Sequence, residues 1–295
     1  ESAEELSIIQ DIVRNLIFCD DSSFIELLLS EEHYMLVFGA FEYEFDNGNC
    51  IQRAKHRQFL TDKSVFKKVI EIEDPNIVSK IRINYRVNYL RDSVIIYYVD
   101  DQTSNTFNTI VYYNNYEIYE HIIRHNDYLK KLFENFCENL EDSICFLSEF
   151  IQIVKSIVQN DAKFVVQEKF QQNDVFTHLT EGLEQLSRME MIEAQRLNVL
   201  KIRLVEVMNF LLQIQISPFF NFLKSNDRLL NGLITTMYEG DQGLQILIGD
   251  LFKLMLDNSQ DRKNEVLDYF YGTILPKLID QVKKVENKQS FVNFV

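Results

Sequence analysis

Apolar residues recur at three- and four-residue steps along most of the chain, the period of an amphipathic helix. Leu6, Ile9, Val13, Leu16 and Ile17 open the pattern. A second helix is expected through Phe24, Leu27 and Leu28, capped by Ser22 or Ser23. The same spacing predicts helices at 144–158, 162–170, 175–186, 197–216, 228–238, 244–256 and 266–285. Polar breaks at 160–161, 171–174, 225–227, 239–243 and 257–261 separate them. Pro218 is expected to end a helix, because it lacks a donor and crowds the preceding turn. Helix after helix with short polar connections predicts an all-α chain, a superhelix of armadillo- or HEAT-like repeats forming one domain over 1–295. Units of roughly 40 residues would give about seven.

One stretch departs from this period and reads as an irregular insertion near 46–74. Asp46-Asn47-Gly48-Asn49 is a turn signal, and 66–72 is short enough to be extended. Beyond it Ile81, Ile83, Tyr85, Val87 and Tyr89 alternate with polar residues, while Ile77, Ile81, Tyr85 and Tyr89 fit a four-residue step. Periodicity alone leaves strand and helix both open there.

Composition narrows the picture. With 8 Gly and 3 Pro among 295 residues, the chain cannot punctuate a sandwich or barrel of many short strands. At 46% hydrophobic it can bury a core. The net charge of −15 argues against a dedicated nucleic-acid binder, and the longest uncharged run, 207–223, is too polar for a membrane span. Cys19, Cys50, Cys137 and Cys145 form no CxxC pair and read as reduced, buried thiols of a cytosolic or nuclear protein. The chain starts on Glu1 within a helical pattern, so it is expected to be a piece of a longer protein.

The charge is uneven. Between Arg53 and Arg91 stand ten basic and four acidic residues, a balance of +6. Two readings follow: a docking surface for an acidic or phosphorylated partner, or ion pairs tying an irregular insertion to acidic helices. Arg suits either, because its planar fork binds carboxylate or phosphate through two bonds. His121 and His125 stand four apart, a metal-ligand spacing, yet Ile122 occupies the position where a zinc protease needs Glu, and no third ligand follows. No metal or cofactor is expected. The segment 240–243 lacks the Lys-Ser/Thr of a phosphate loop and reads as a helix-joining turn. Tyr97, Tyr98 and the run Tyr112-Tyr113-Asn114-Asn115-Tyr116 form an aromatic and amide cluster that could receive an extended peptide.

The irregular stretch carries a resemblance. Glu42-Tyr43, then Lys55-His56-Arg57-Gln58-Phe59-Leu60, then Phe66-Lys67-Lys68-Val69-Ile70-Glu71-Ile72, Lys80-Ile81 and Tyr85-Arg86-Val87-Asn88-Tyr89-Leu90-Arg91-Asp92 follow one another in order. This series resembles the SMEK-type domain of the protein phosphatase 4 regulatory subunit 3 family. Tyr112-Tyr113-Asn114-Asn115 with Glu117-Ile118, and the segment 265–271, continue the likeness. Glu44-Phe45 departs from the family's Asp-Pro, and Glu71 from a Pro. The sequence is expected to be a fragment without the family's amino-terminal pleckstrin-like domain.

The resemblance implies a non-catalytic scaffold. Such a subunit would join a phosphatase 4-type catalytic subunit and a second regulatory subunit. It would bring phosphoprotein substrates to them in nucleus and cytoplasm, including in DNA-damage signalling, without contacting nucleic acid or membrane. Lys55, His56, Arg57, Lys67, Lys68, Arg86 and Arg91, where the basic stretch and the motif coincide, are the candidate partner-binding residues.

Overall fold

The computed structural model describes residues 3–46, 49–52, 54–62, 69–158, 160–189, 193–257, 259 and 262–284. The chain divides into two compact units, Glu1–Arg124 and His125–Val295. Both are built from helices.

The first unit contains α1 (Ala3–Ile17), α2 (Ser22–Leu28), α3 (Tyr34–Ala40), α4 (His56–Asp62), α5 (Pro75–Tyr89) and α6 (Asp101–Arg124). Between α3 and α4 lies a two-stranded antiparallel hairpin, β1 (Tyr43–Asp46) and β2 (Asn49–Gln52), with Tyr43 opposite Gln52. The expected turn at 46–49 therefore falls at a hairpin, and 75–89 is helix rather than strand. Asp74 sets the start of α5: its carboxylate accepts from the Asn76 N–H at 2.9 Å, and Pro75 sits at the first helical position, where no donor is lost. Asp21, not Ser22 or Ser23, caps α2 by accepting from the Phe24 N–H. Ile17, Ile25, Phe38, Val87, Leu90 and Phe107 form the core. A π turn, Leu90–Val94, continues α5. The outer face of α1 carries Ile8, Ile9 and Ile12, all exposed.

The second unit contains α7 (Asn126–Glu134), α8 (Leu140–Ser156), α9 (Asn160–Gln172), α10 (Val175–Arg188), α11 (Ala194–Ile214), α12 (Ile216–Ser225), α13 (Asp227–Glu239), α14 (Gln242–Asp257), α15 (Lys263–Tyr269) and α16 (Leu275–Lys284). A second π turn, Phe270–Ile274, joins the last two. The packing has a period of three elements: α8 meets α11, α11 meets α14, α10 meets α13 and α13 meets α16. Between α12 and α15 the Phe220 and Tyr269 rings meet edge to face at 5.6 Å, and the Tyr269 hydroxyl donates to the Leu223 carbonyl. Three helices per repeat is the armadillo arrangement, but each repeat runs about fifty residues, longer than expected.

Polar side chains stitch the same steps. Arg228 pairs with Glu184, Lys224 with Glu265 and Lys277 with Asp227, each linking residues 41 to 50 apart. Gln167, buried in α9, donates to the carbonyls of Leu211 and Gln215, closing the end of α11. Phenylalanines fill the interior: Phe133, Phe150, Phe170, Phe219, Phe220 and Phe252 are buried, which accounts for much of the aromatic excess.

Pro218 does not end a helix. It lies in the first turn of α12, and the break falls three residues earlier at Gln215, extended at φ −155° and ψ 122°. The ring of Pro218 would collide with the carbonyl four residues back in a continuous helix, so the chain opens just after that carbonyl. The break at 240–243 is a helix-joining turn, as expected. Gly240 is required there, because a β-carbon would stand 2.7 Å from the Thr236 carbonyl and 2.8 Å from Leu244.

Candidate functional site

The recognisable motif residues come together in the first unit, where α4 lies against α3 and the end of α5. Glu42 follows α3 directly and is only 2% exposed. A bare carboxylate cannot stay there. Arg57, in the first turn of α4, meets it three times: its backbone N–H donates at 2.8 Å, Nε at 3.1 Å and Nη2 at 2.7 Å. Burial pushes the Glu42 carboxyl up, but the hydrogen bonds from Arg57 outweigh it and hold the group below its ordinary value. Gly39 makes the approach possible, since a β-carbon on it would sit 3.1 Å from Arg57 Nε.

One residue earlier, His56 Nδ1 shares a 3.0 Å hydrogen bond with the Tyr89 hydroxyl and sets its ring edge on to that tyrosine. Burial lowers the His56 pKa below its ordinary value, against a smaller raising effect of Glu42. Tyr89 is also the middle ring of a parallel stack. Phe59 lies 5.2 Å away at 9°, and Tyr85 lies 6.3 Å away at 4°. Phe59 and Tyr85 reach the surface, and Lys55 stands exposed one turn before Phe59.

The remaining candidates hold internal partners. Arg86 is buried, with Nη1 donating to the Leu29 carbonyl at 2.8 Å, Nη2 on Glu31 at 2.8 Å, and its guanidinium 3.6 Å above the Tyr34 ring. Arg91 holds Asp92, Asn88 and Asn108. Lys67 and Lys68 lie outside the described residues. The structure thus brings Lys55, His56 and Arg57 to one place and engages Arg57, Arg86 and Arg91 in ties to neighbouring elements.

The amide-rich run behaves differently from its sequence reading. Asn114 and Asn115 turn inward: Asn84 donates to Asn115 at 2.9 Å, Asn114 donates to Asn84 at 3.1 Å and to Glu26 at 3.2 Å, and Lys80 donates to Asn114 at 3.1 Å. These residues fix α5 against α6 and α2 and are closed to a peptide. Tyr97, 91% exposed, and Tyr113 remain at the surface. Helix α6 ends at Arg124, so His125 precedes the next helix and does not share a helical face with His121. Among the described residues no group of three or more His, Cys, Asp or Glu is placed to hold a metal. Cys19 is exposed and Cys137 and Cys145 are half-buried, so the expectation of buried thiols fails for all three; no helix of the described residues is long and apolar enough to cross a membrane.

Sequence reasoning missed the aromatic stack. Tyr85 and Tyr89 are four apart on one helix and legible as neighbours, but Phe59 comes from another helix, and only the fold sets it parallel to them.

A family profile described as Phosphatase 4 regulatory subunit 3 matches residues 1–293, across all of these elements. The chain belongs to the phosphatase 4 regulatory subunit 3 family. Among relatives of this family member, Suppressor of Mek1 from Dictyostelium discoideum is 34% identical over 173 residues, 56% of this chain and 16% of that protein. Serine/threonine-protein phosphatase 4 regulatory subunit 3 from Kluyveromyces lactis is 34% identical over 99 residues, 33% of this chain and 13% of that protein. The matched parts thus span less than a fifth of either relative. No solved structure matches.

Proposed function

We propose that this chain is the helical-repeat part of a non-catalytic regulatory subunit of a protein phosphatase 4-type enzyme. It would bind the catalytic subunit and a second regulatory subunit and hold phosphoprotein substrates beside them, in nucleus and cytoplasm. The observation that carries this reading is the family match over 1–293, together with the interlocking of its motif residues Glu42, His56, Arg57 and Tyr89. The name of the Kluyveromyces lactis relative supports the choice of phosphatase. The mechanism is effective concentration: tethering a substrate beside the active site makes their encounter partly intramolecular.

Within the basic stretch, the partner surface is centred on Lys55 and the exposed ring edges of Phe59 and Tyr85, with Lys67 and Lys68 as further cations of the same segment. His56, Arg57, Arg86 and Arg91 shape this surface from within. Purification of the full-length protein from its own cells, followed by mass spectrometry, should recover a phosphatase 4-type catalytic subunit. Lys55→Glu should weaken recovery with thermal stability unchanged. Repeated recovery of a different principal partner, with no phosphatase, would instead assign the chain as an adaptor in transport or signalling.

A further inference from the structure

In the second unit, α13, α14 and the π turn at Phe270 enclose a groove of about 370 Å³. Met237, Phe252, Leu256 and Phe270 supply its apolar surface. The volume suits one or two large side chains, within the range of ordinary ligand pockets. The π turn contributes to its shape. Such turns insert an extra residue into a helix and recur at functional sites; here Phe270 faces the groove while its neighbour Tyr271, set perpendicular at 5.5 Å, is exposed. Ile246, another lining residue, is 54% exposed, an aliphatic side chain left in water.

The charged residues that line the groove differ from those that tie successive helices together. Elsewhere Arg228, Lys224, Lys277 and Arg262 are each engaged by a carboxylate. Asp250, Lys253 and Asp257 all line the groove, are exposed, and have no ion-pair partner among the described residues. They occupy one side of α14 at steps of three and four, so they line up along the groove. Of the three charged lining residues, two are carboxylates and one, Lys253, is a base. An apolar groove bordered by two exposed carboxylates, Asp250 and Asp257, is complementary to an apolar side chain with cationic neighbours.

We propose that this groove is a docking site for a peptide segment of a partner protein carrying a bulky apolar side chain flanked by lysine or arginine. The anchor fills the space against Phe252 and Phe270 and covers Ile246. The flanking cations meet Asp250 and Asp257, and Lys253 between them selects against a cation placed midway. This inference does not depend on which enzyme the chain serves.

The test is fluorescence anisotropy on the full chain with three labelled synthetic peptides. Each has a central Leu-Ser-Ser-Phe, and the flanks are Lys, Glu or Ser. The Lys-flanked peptide should bind saturably and at least about tenfold tighter than the Glu-flanked one. Asp250→Lys with Asp257→Lys, and separately Ile246→Ser, should each weaken it by about tenfold. Glu149→Lys, on the exposed side of α8, should leave it unchanged. All altered positions are exposed, and circular dichroism would confirm that each variant is folded. Absence of saturable binding, equal binding of all three peptides, or an equal loss with Glu149→Lys would overturn the proposal. A dimer in sedimentation that Ile246→Ser converts to monomer would also overturn it, by assigning the groove to a second copy of the chain.

Discussion

Arg57 shows how one residue can look like a docking cation and serve as a fold contact. Its guanidinium is about half exposed, yet two of its nitrogens are committed to a carboxylate that has almost no access to water. Arg57→Ala leaves Glu42 with one backbone donor at 2.8 Å and a long 3.4 Å bond from Gln52 Nε2, and should destabilise the first unit by about 2 kcal/mol, read as a lower urea midpoint. Lys55→Glu, at an exposed position without such a tie, should leave the midpoint unchanged. His56 and Glu42 also make the unit acid-sensitive in two windows. Burial keeps the folded His56 below its ordinary 6.5, so the unfolded chain binds a proton that the folded chain refuses. That contribution is complete above 6.5 and is lost as pH falls through the lower folded value. Glu42 is held below its ordinary 4.5, so its contribution is present above 4.5 and fades as pH drops through its own folded value. Urea midpoints measured against pH should flatten in the upper window for His56→Gln and in the lower one for Glu42→Gln.

At the level of elements, the helical period was legible wherever an apolar stripe faces a core. The pattern at 244–256 became α14 (Gln242–Asp257), and that at 228–238 became α13 (Asp227–Glu239). The boundaries depended on short polar side chains whose competition the period does not report. Asp21 and Asp74 outcompete neighbouring residues because each carboxylate reaches a free N–H of the first turn. The hairpin was legible only at its turn, since four-residue strands offer too few alternations to count. The alternation at 81–89 arises on a helix because polar residues such as Asn84, Arg86 and Asn88 make buried or half-buried ties rather than facing water. The turn between α13 and α14 gives a sharp check. Gly240→Ala forces a β-carbon against the Thr236 carbonyl and should cost about 1–3 kcal/mol, seen as a lower thermal midpoint of the second unit.

For the whole molecule, the division into two compact units predicts two unfolding transitions in a denaturant titration of the intact chain. Arg57→Ala should move one and Gly240→Ala the other. A single transition shifted by both variants would show that the units unfold together. The candidate site was partly legible at this scale. The excess of +6 marked the segment several of whose cations the fold ties to distant residues, because charge clusters survive in a linear reading. The fate of each cation did not, because Glu42, Glu31 and Asn108 come from elsewhere in the chain to meet it. The aromatic stack and the groove beside Phe270 were invisible for the same reason: each is assembled by more than one element.

The three-element period of the second unit also sets how such a protein can change length. Helices α8, α10, α11, α12 and α13 each meet the helix three elements on, so a duplication of about fifty residues adds a complete rung and leaves those contacts in place. A gain of two residues inside α11 would instead rotate one half of the helix by about 200° against the other, turning the side chains packed on α8 and α14 away from them. Relatives of unequal size should therefore differ by whole rungs or by loops at the helix joints, and hardly ever within a helix.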